Sequence, residues 1–145
     1  MVLAGDFNGD GFTDLLIFGT PVNSSSYSYQ VLLNDGTGHF TTAASGPSPP
    51  RNGAPLALVG DYNHDGELDF ALAGSTNGQP FSIFYGNGNG TFSGPVSVGA
   101  SLGGVVVFAN AADLNGDGYP DLVYLEGFYA APSDSDVIVH FWRYL

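Results

Sequence analysis

The chain has no cysteine, which excludes disulfides, thiolate metal sites and cysteine nucleophiles while leaving the redox compartment undecided. Positive charge is nearly absent: Arg51 and Arg143 stand against fourteen acidic residues, for a formal charge of −12. Affinity for nucleic acid comes mainly from Lys and Arg neutralising phosphates, so no nucleic acid is expected as a partner, and anionic membrane surfaces are repelled. No apolar run approaches the ~20 residues that a membrane-spanning helix needs, so no membrane insertion is expected. No secretory leader is expected within this sequence, because Met1 runs straight into strand-like Val2 and Leu3. This points to an address already removed or to a piece of a longer chain. Sustained helical periodicity is found nowhere. What remains is ordinary for a folded domain: 145 residues, 43% of them hydrophobic, suffice for a sizeable core.

The acidic residues are unevenly spread. Nine of the fourteen are Asp6, Asp10, Asp14, Asp61, Asp65, Asp69, Asp113, Asp117 and Asp121, in three short clusters. Carboxylates crowded in this way repel one another unless a cation joins them. Three divalent ions would halve the net charge.

The clusters lie in an internal repeat: GDFNGDGFTDLLI at 5–17, GDYNHDGELDFAL at 60–72 and ADLNGDGYPDLVY at 112–124 align without gaps, spaced by 55 and 52 residues. A period near fifty suits a four-stranded unit. A second element recurs after the first two loops, LLNDGTGHF at 32–40 and FYGNGNGTF at 84–92. Its glycines supply the positive φ of a tight hairpin, and Phe40 and Phe92 are expected to pack into a sheet face. Strands are expected near 1–5, 13–19, 27–33 and 39–43, then 55–60, 68–73, 80–85 and 91–98, then 105–112, 120–126 and 136–144. The links 45–55 and 93–104 are rich in Gly, Pro and Ser. The chain therefore divides into units 1–48, 49–100 and 101–145, the last incomplete. The fold class expected is all-β, about three four-stranded antiparallel sheets in sequence.

Each loop obeys Asp-x-Asn-x-Asp-Gly-x-x-Asp. Side-chain oxygens come from Asp6, Asn8, Asp10 and Asp14, from Asp61, Asn63, Asp65 and Asp69, and from Asp113, Asn115, Asp117 and Asp121; the carbonyls of Phe12, Glu67 and Tyr119 are the expected fifth ligands. Calcium takes about six to eight oxygens at about 2.3–2.6 Å, and alternate short side chains on a curled loop converge on one point. Three calcium sites are therefore expected. An EF-hand is rejected, because its position 12 requires a bidentate Glu and this chain has Ile17, Leu72 and Tyr124 there. Magnesium prefers to keep several waters, and zinc would want His or Cys.

Competing chemistries fail on context. Gly99-Ala100-Ser101-Leu102-Gly103 has the spacing of a nucleophile elbow but sits in a Gly-rich link, not a strand-to-helix turn. Pairs such as Asp10 and Asp14 cannot cycle protons while holding calcium. His39, His64 and His140 are scattered in sequence, and no helix follows the glycines at 86, 88 and 90 to receive a phosphate. The chain is not expected to be an enzyme. Tyr124, Phe84, Tyr85, Phe141 and Trp142 are expected in sheet packing. The loop at 126–136 joins aromatics to acids on the side opposite the Asp-rich loops, so Phe128 and Tyr129 are the candidate partner contacts.

The three loops and the Asn-Gly-Thr-Phe type of turn resemble FG-GAP or VCBS repeats, the calcium-bearing blades of integrin-α-like β-propellers, and the likeness covers almost the whole chain. It implies propeller blades, metal positions at the fifteen loop residues named above, a binding or adhesion role with calcium structural, and an extracellular or cell-surface setting. A protein or glycan ligand is the implied partner. The alternative is a lectin, or the propeller part of a carbohydrate-active enzyme. Propellers close with about four to eight blades, and open sheet edges invite pairing. The chain is thus either a fragment of a longer protein, which the interrupted last unit favours, or one that self-associates to complete a ring.

Overall fold

The structure is a computed structural model that describes residues 1–20, 22–23, 26–47, 56–73, 80–99 and 105–127, together with the backbone of 135–140. Eleven strands form three antiparallel sheets, and no helix occurs among the described residues. The first sheet runs in sequence order through β1 (Val2–Gly5), β2 (Asp14–Gly19), β3 (Ser28–Asn34) and β4 (Phe40–Pro47). The second repeats it with β5 (Ala57–Gly60), β6 (Asp69–Ala73), β7 (Phe81–Gly86) and β8 (Phe92–Val98). The third comprises β9 (Val105–Ala112), β10 (Asp121–Gly127) and β11 (Ser135–His140). The up-and-down order follows from hairpin connections, which antiparallel neighbours permit. The strands fall within a few residues of those expected from sequence; β4 extends farthest beyond its expected end, reaching Pro47.

The side-chain period of two explains how the sheets stack. In β6 every residue is buried, because this strand is covered on both faces. Phe70 and Leu72 point to the first sheet, where they meet Leu16, Phe18, Tyr29 and Val31. Ala71 and Ala73 point the other way and join Phe81, Ile83, Leu122 and Tyr124. The two cores are therefore the two inter-sheet seams. The first is aromatic: Phe70 stacks on Phe84 at 4.5 Å and takes edge contacts from Phe18, Tyr29 and Phe92. Such edge and offset pairs add attraction beyond their buried area. The opening strands lie side by side, β1 against β5 and β5 against β9, as in blades set around an axis.

One packing expectation fails. Phe92 enters the first seam, but Phe40, its counterpart in the first sheet, is 38% exposed. Phe92 points toward the preceding sheet, where it meets Phe7 and Tyr29, and Phe40 holds the equivalent register in the first sheet, which no sheet precedes among the described residues. Phe84 and Tyr124 are buried as expected and Tyr85 packs at the seam, whereas Phe141 and Trp142 lie outside the described residues.

Candidate metal centres

Each Asp-rich segment is the connection from the first to the second strand of its sheet, so all three occupy the same end of the stack. Short Asp and Asn side chains hydrogen-bond readily to amides a few residues ahead, and here they do so in a pattern repeated almost bond for bond. The first carboxylate gathers the loop. Asp6 Oδ1 accepts from the amides of Gly9 (2.8 Å) and Asp10 (3.2 Å), and its Oδ2 accepts from Gly11 (2.8 Å). Asp61 does the same with His64 (2.7 Å), Asp65 (3.2 Å) and Gly66 (2.9 Å). Asp113 does so with Gly116 (2.7 Å), Asp117 (3.2 Å) and Gly118 (2.9 Å).

The middle residues continue the curl. Asn8, Asn63 and Asn115 accept through Oδ1 from the amides of Asp10, Asp65 and Asp117. Those three aspartates in turn accept from Phe12, Glu67 and Tyr119. The Asn8 and Asn63 side-chain amides donate to Asp10 and Asp65 at 2.8 Å, whereas the Asn115 amide lies 3.5 Å from Asp121 Oδ1. Gly11, Gly66 and Gly118 make the sharp turn at φ of 86°, 89° and 92°. Among the described residues a Cβ at these positions would meet nothing within 4 Å, so the backbone angle is what requires glycine.

The last carboxylate plays a different part. Asp14, Asp69 and Asp121 open the second strand and are at most 1% exposed. Asp14 accepts from the amides of Phe7 and Asn34, both at 2.9 Å. Asp69 accepts from Tyr62 (2.7 Å), Asn63 (3.2 Å) and Gly86 (2.7 Å), and Asp121 from Leu114 (3.0 Å). Asn34 and Gly86 end the third strands, so the buried carboxylates of the first two sheets clamp the loop to the neighbouring Gly-rich turn. The two turns pack together on the same end: the Phe12 ring covers Gly36, and the Glu67 carboxylate covers Gly88.

Charge follows this geometry. Burial pushes the Asp6 carboxyl up, but the amides of Gly11, Gly9, Asn8 and Asp10 outweigh it and hold the group below the usual carboxylate range. At Asp113 the Gly118 amide is the largest influence and the outcome is the same. Asp69 goes the other way: its burial, reinforced by the nearby Asp65 charge, outweighs its amide donors and raises it to about 6.

Among the described residues no three carboxylate or imidazole side chains stand converged on a single point as a formed cage. The donor chemistry nevertheless fits a hard divalent cation, since the residues at the repeated Asp and Asn positions supply three carboxylates and one carboxamide in each loop, and the one imidazole, His64 of loop two, is stacked on Tyr119. A carboxylate has about four lone-pair positions, and no loop carboxylate accepts more than three of the hydrogen bonds described above. Phe128, Tyr129 and the elbow-like segment 100–103 lie outside the described residues. His64 has no place in the Asp and Asn pattern of the loops, yet the structure stacks its ring on Tyr119 of the third loop. The signal was in the alignment, where Gly9 and Gly116 occupy the equivalent position.

Sequential antiparallel sheets, two of them four-stranded, packed face to face with their opening strands adjacent and an Asp-rich first hairpin in each, define a blade-repeat module of the β-propeller class. The model of the FG-GAP-like repeat matches residues 6–72 and 61–124, and the chain belongs to that family. It is 32% identical to integrin alpha-PS5 of Drosophila melanogaster, over 83% of this chain and 14% of the relative. It is equally identical to integrin alpha-IIb of Mus musculus (90% of this chain, 14% of the relative) and integrin alpha-4 of Xenopus laevis (83% and 13%). The chain thus spans 13–14% of the length of these relatives. Among the described residues no helix is long and apolar enough to cross a membrane.

Proposed function

We propose that this chain is an integrin-α-like propeller module for extracellular binding or adhesion, in which each Asp-rich loop holds one calcium ion in a structural role. The observation that carries the reading is the threefold repetition of one loop, with the same carboxylate-to-amide network at the same end of adjacent sheets. A loop pre-curled in this way needs little reordering to offer its oxygens to an ion. The ligands proposed are Asp6, Asn8, Asp10, the Phe12 carbonyl and Asp14, with their counterparts Asp61 to Asp69 and Asp113 to Asp121. The bound ion would neutralise carboxylates held close together and cross-link the first hairpin of each blade. On this reading the blades are 1–48, 49–100 and 101–145, the module is not an enzyme, and its partner is a protein or glycan met through Phe128 and Tyr129. Further blades, from a longer chain or a second copy, seat on the open sheet faces that expose Val2 and Phe108.

Calorimetric titration with calcium tests the core of this reading, and three ions per chain are expected. Metal bound only by the folded loops adds its binding energy to folding, about 2.7 kcal/mol per site at a hundredfold excess over Kd. Melting curves that coincide with and without chelator would refute it.

A further inference from the structure

We infer that His64 and Tyr119 couple the second and third loops, so that calcium held by one tightens its binding by the other. The inference rests on the calcium reading above. Position four of the three loops is Gly9, His64 and Gly116, all with positive φ: 75°, 66° and 78°. Glycine adopts this conformation freely, whereas an L-residue is strained there. Loop two therefore keeps a histidine where its two copies use the unstrained residue, and the ring shows what it does. It lies flat on the Tyr119 ring, with centroids 3.1 Å apart and planes at 8°. The parallel planes show that the contact is made by the face of the ring, and among the described residues its buried Nε2 has no hydrogen-bond partner.

Both ends of this stack are tied to proposed ligands. The His64 amide donates to Asp61 Oδ1 at 2.7 Å, and the Tyr119 amide donates to Asp117 Oδ1 at 3.0 Å. Tyr119 also offers the proposed carbonyl ligand of loop three. A neighbouring contact runs in parallel, because a Cβ on Gly60, next to Asp61, would come within 2.9 Å of Pro120. Loop one supplies an internal control. Gly5 approaches Leu68 in the way Gly60 approaches Pro120, but Gly9 carries no side chain and Phe12 packs on Gly36 of its own sheet. The contact of a glycine with the side chain of the next loop is thus common to both seams, and the ring stack is confined to the second among the described residues. Filling loop three holds the Tyr119 backbone, which holds the His64 ring and with it the left-handed turn that presents amides to Asp61. Order imposed by the first ion need not be imposed again by the second.

The test is a set of calcium titrations of the 145-residue chain, read loop by loop from the NMR amide signals of Gly11, Gly66 and Gly118. D117N impairs loop three and D65N impairs loop two, each keeping an oxygen acceptor in place. D117N is expected to weaken calcium binding at loop two by about fivefold or more, and D65N to weaken loop three by the same factor, since coupling is reciprocal. Loop one changes less than about twofold in either variant on the same coupling scale. H64G retains the left-handed turn and matches the other loops, and in it the coupling falls to near one. A stack that merely glued the sheets would lower the melting temperature on H64G without producing reciprocal shifts in affinity. Equal affinity at loop two in the parent and D117N, or full coupling persisting in H64G, overturns this inference and leaves the calcium reading standing. Failure of all three loops to bind calcium overturns both.

Discussion

The buried aspartate that opens the second strand makes a sharp prediction for the metal-free protein. Asp69 has no exposed surface, and its carboxylate accepts from the amides of Tyr62, Asn63 and Gly86. Asp69→Ala removes every one of these acceptors and leaves at least two amides stranded in the interior. Each stranded buried donor costs about 1–3 kcal/mol, so two of them give a gross loss of about 2–6 kcal/mol. Loss of the buried charge returns part of this, so the net loss should be about 3 kcal/mol. At about 2–4 °C per kcal/mol, the melting temperature falls by about 6–12 °C. Asp65→Ala is the matched control: this carboxylate is exposed and accepts from the Glu67 amide and the Asn63 side chain at the surface, so its removal should cost under about 1 kcal/mol. Thermal and urea unfolding of both variants in excess chelator separates this role from any metal. Equal stability of the two variants would refute the reasoning, because it would mean that the amides around Asp69 find other partners.

The same group carries a pH dependence with a definite sign. Asp69 ionises near 3.8 in the unfolded chain and at about 6 in the folded one, so the folded chain binds the extra proton between those values. Its contribution is fully present below the unfolded value and is lost as pH rises through about 6. With chelator present, Asp69→Asn should gain stability relative to the parent as pH rises from about 4 to about 7, and a flat difference across that window counts against it. Asp6 and Asp113 act oppositely, since their lowered values add stability at neutral pH that is lost as pH falls below the usual carboxylate range. Gly11→Ala should cost only the backbone strain of a positive φ, about 1 kcal/mol, because none of the described residues crowds its Cβ. Gly86→Ala should cost distinctly more, since its Cβ would overlap the Leu68 carbonyl oxygen; chemical denaturation giving the reverse order would contradict the packing described. Phe70→Ala empties the centre of the aromatic seam and should lose about 3–5 kcal/mol, readable from the same denaturation curves.

Much of the strand layout was legible before any coordinates. Leu15 to Phe18, Phe70 to Ala73 and Leu122 to Leu125 are short apolar runs bounded by Asp-Gly loops, and such runs form buried strands. The extra length of β4 was not legible, because Ala44, Ser45, Gly46 and Pro47 form a poor strand by composition and are held by pairing with Val31, Gln30, Tyr29 and Ser28. The Asp-rich motif marked the candidate ligands as a set, but not their separate tasks. Asp6 and Asp14 look alike in sequence, yet one gathers an exposed loop and the other is buried beneath it. Phe40 and Phe92 likewise share a motif and part company in burial, since among the described residues only the second meets another sheet.

Sequence by itself determined the local facts: the repeat and its period, the left-handed glycines, the alternation that makes strands and the recurring Asp and Asn oxygens. These depend on neighbours a few residues apart along one backbone. The tertiary structure decided which face of each strand found a partner, which carboxylate lost its water and which ring of one loop met the next. Those outcomes depend on residues some fifty positions apart, as His64 and Tyr119 are, brought together when two sheets close over the same seam.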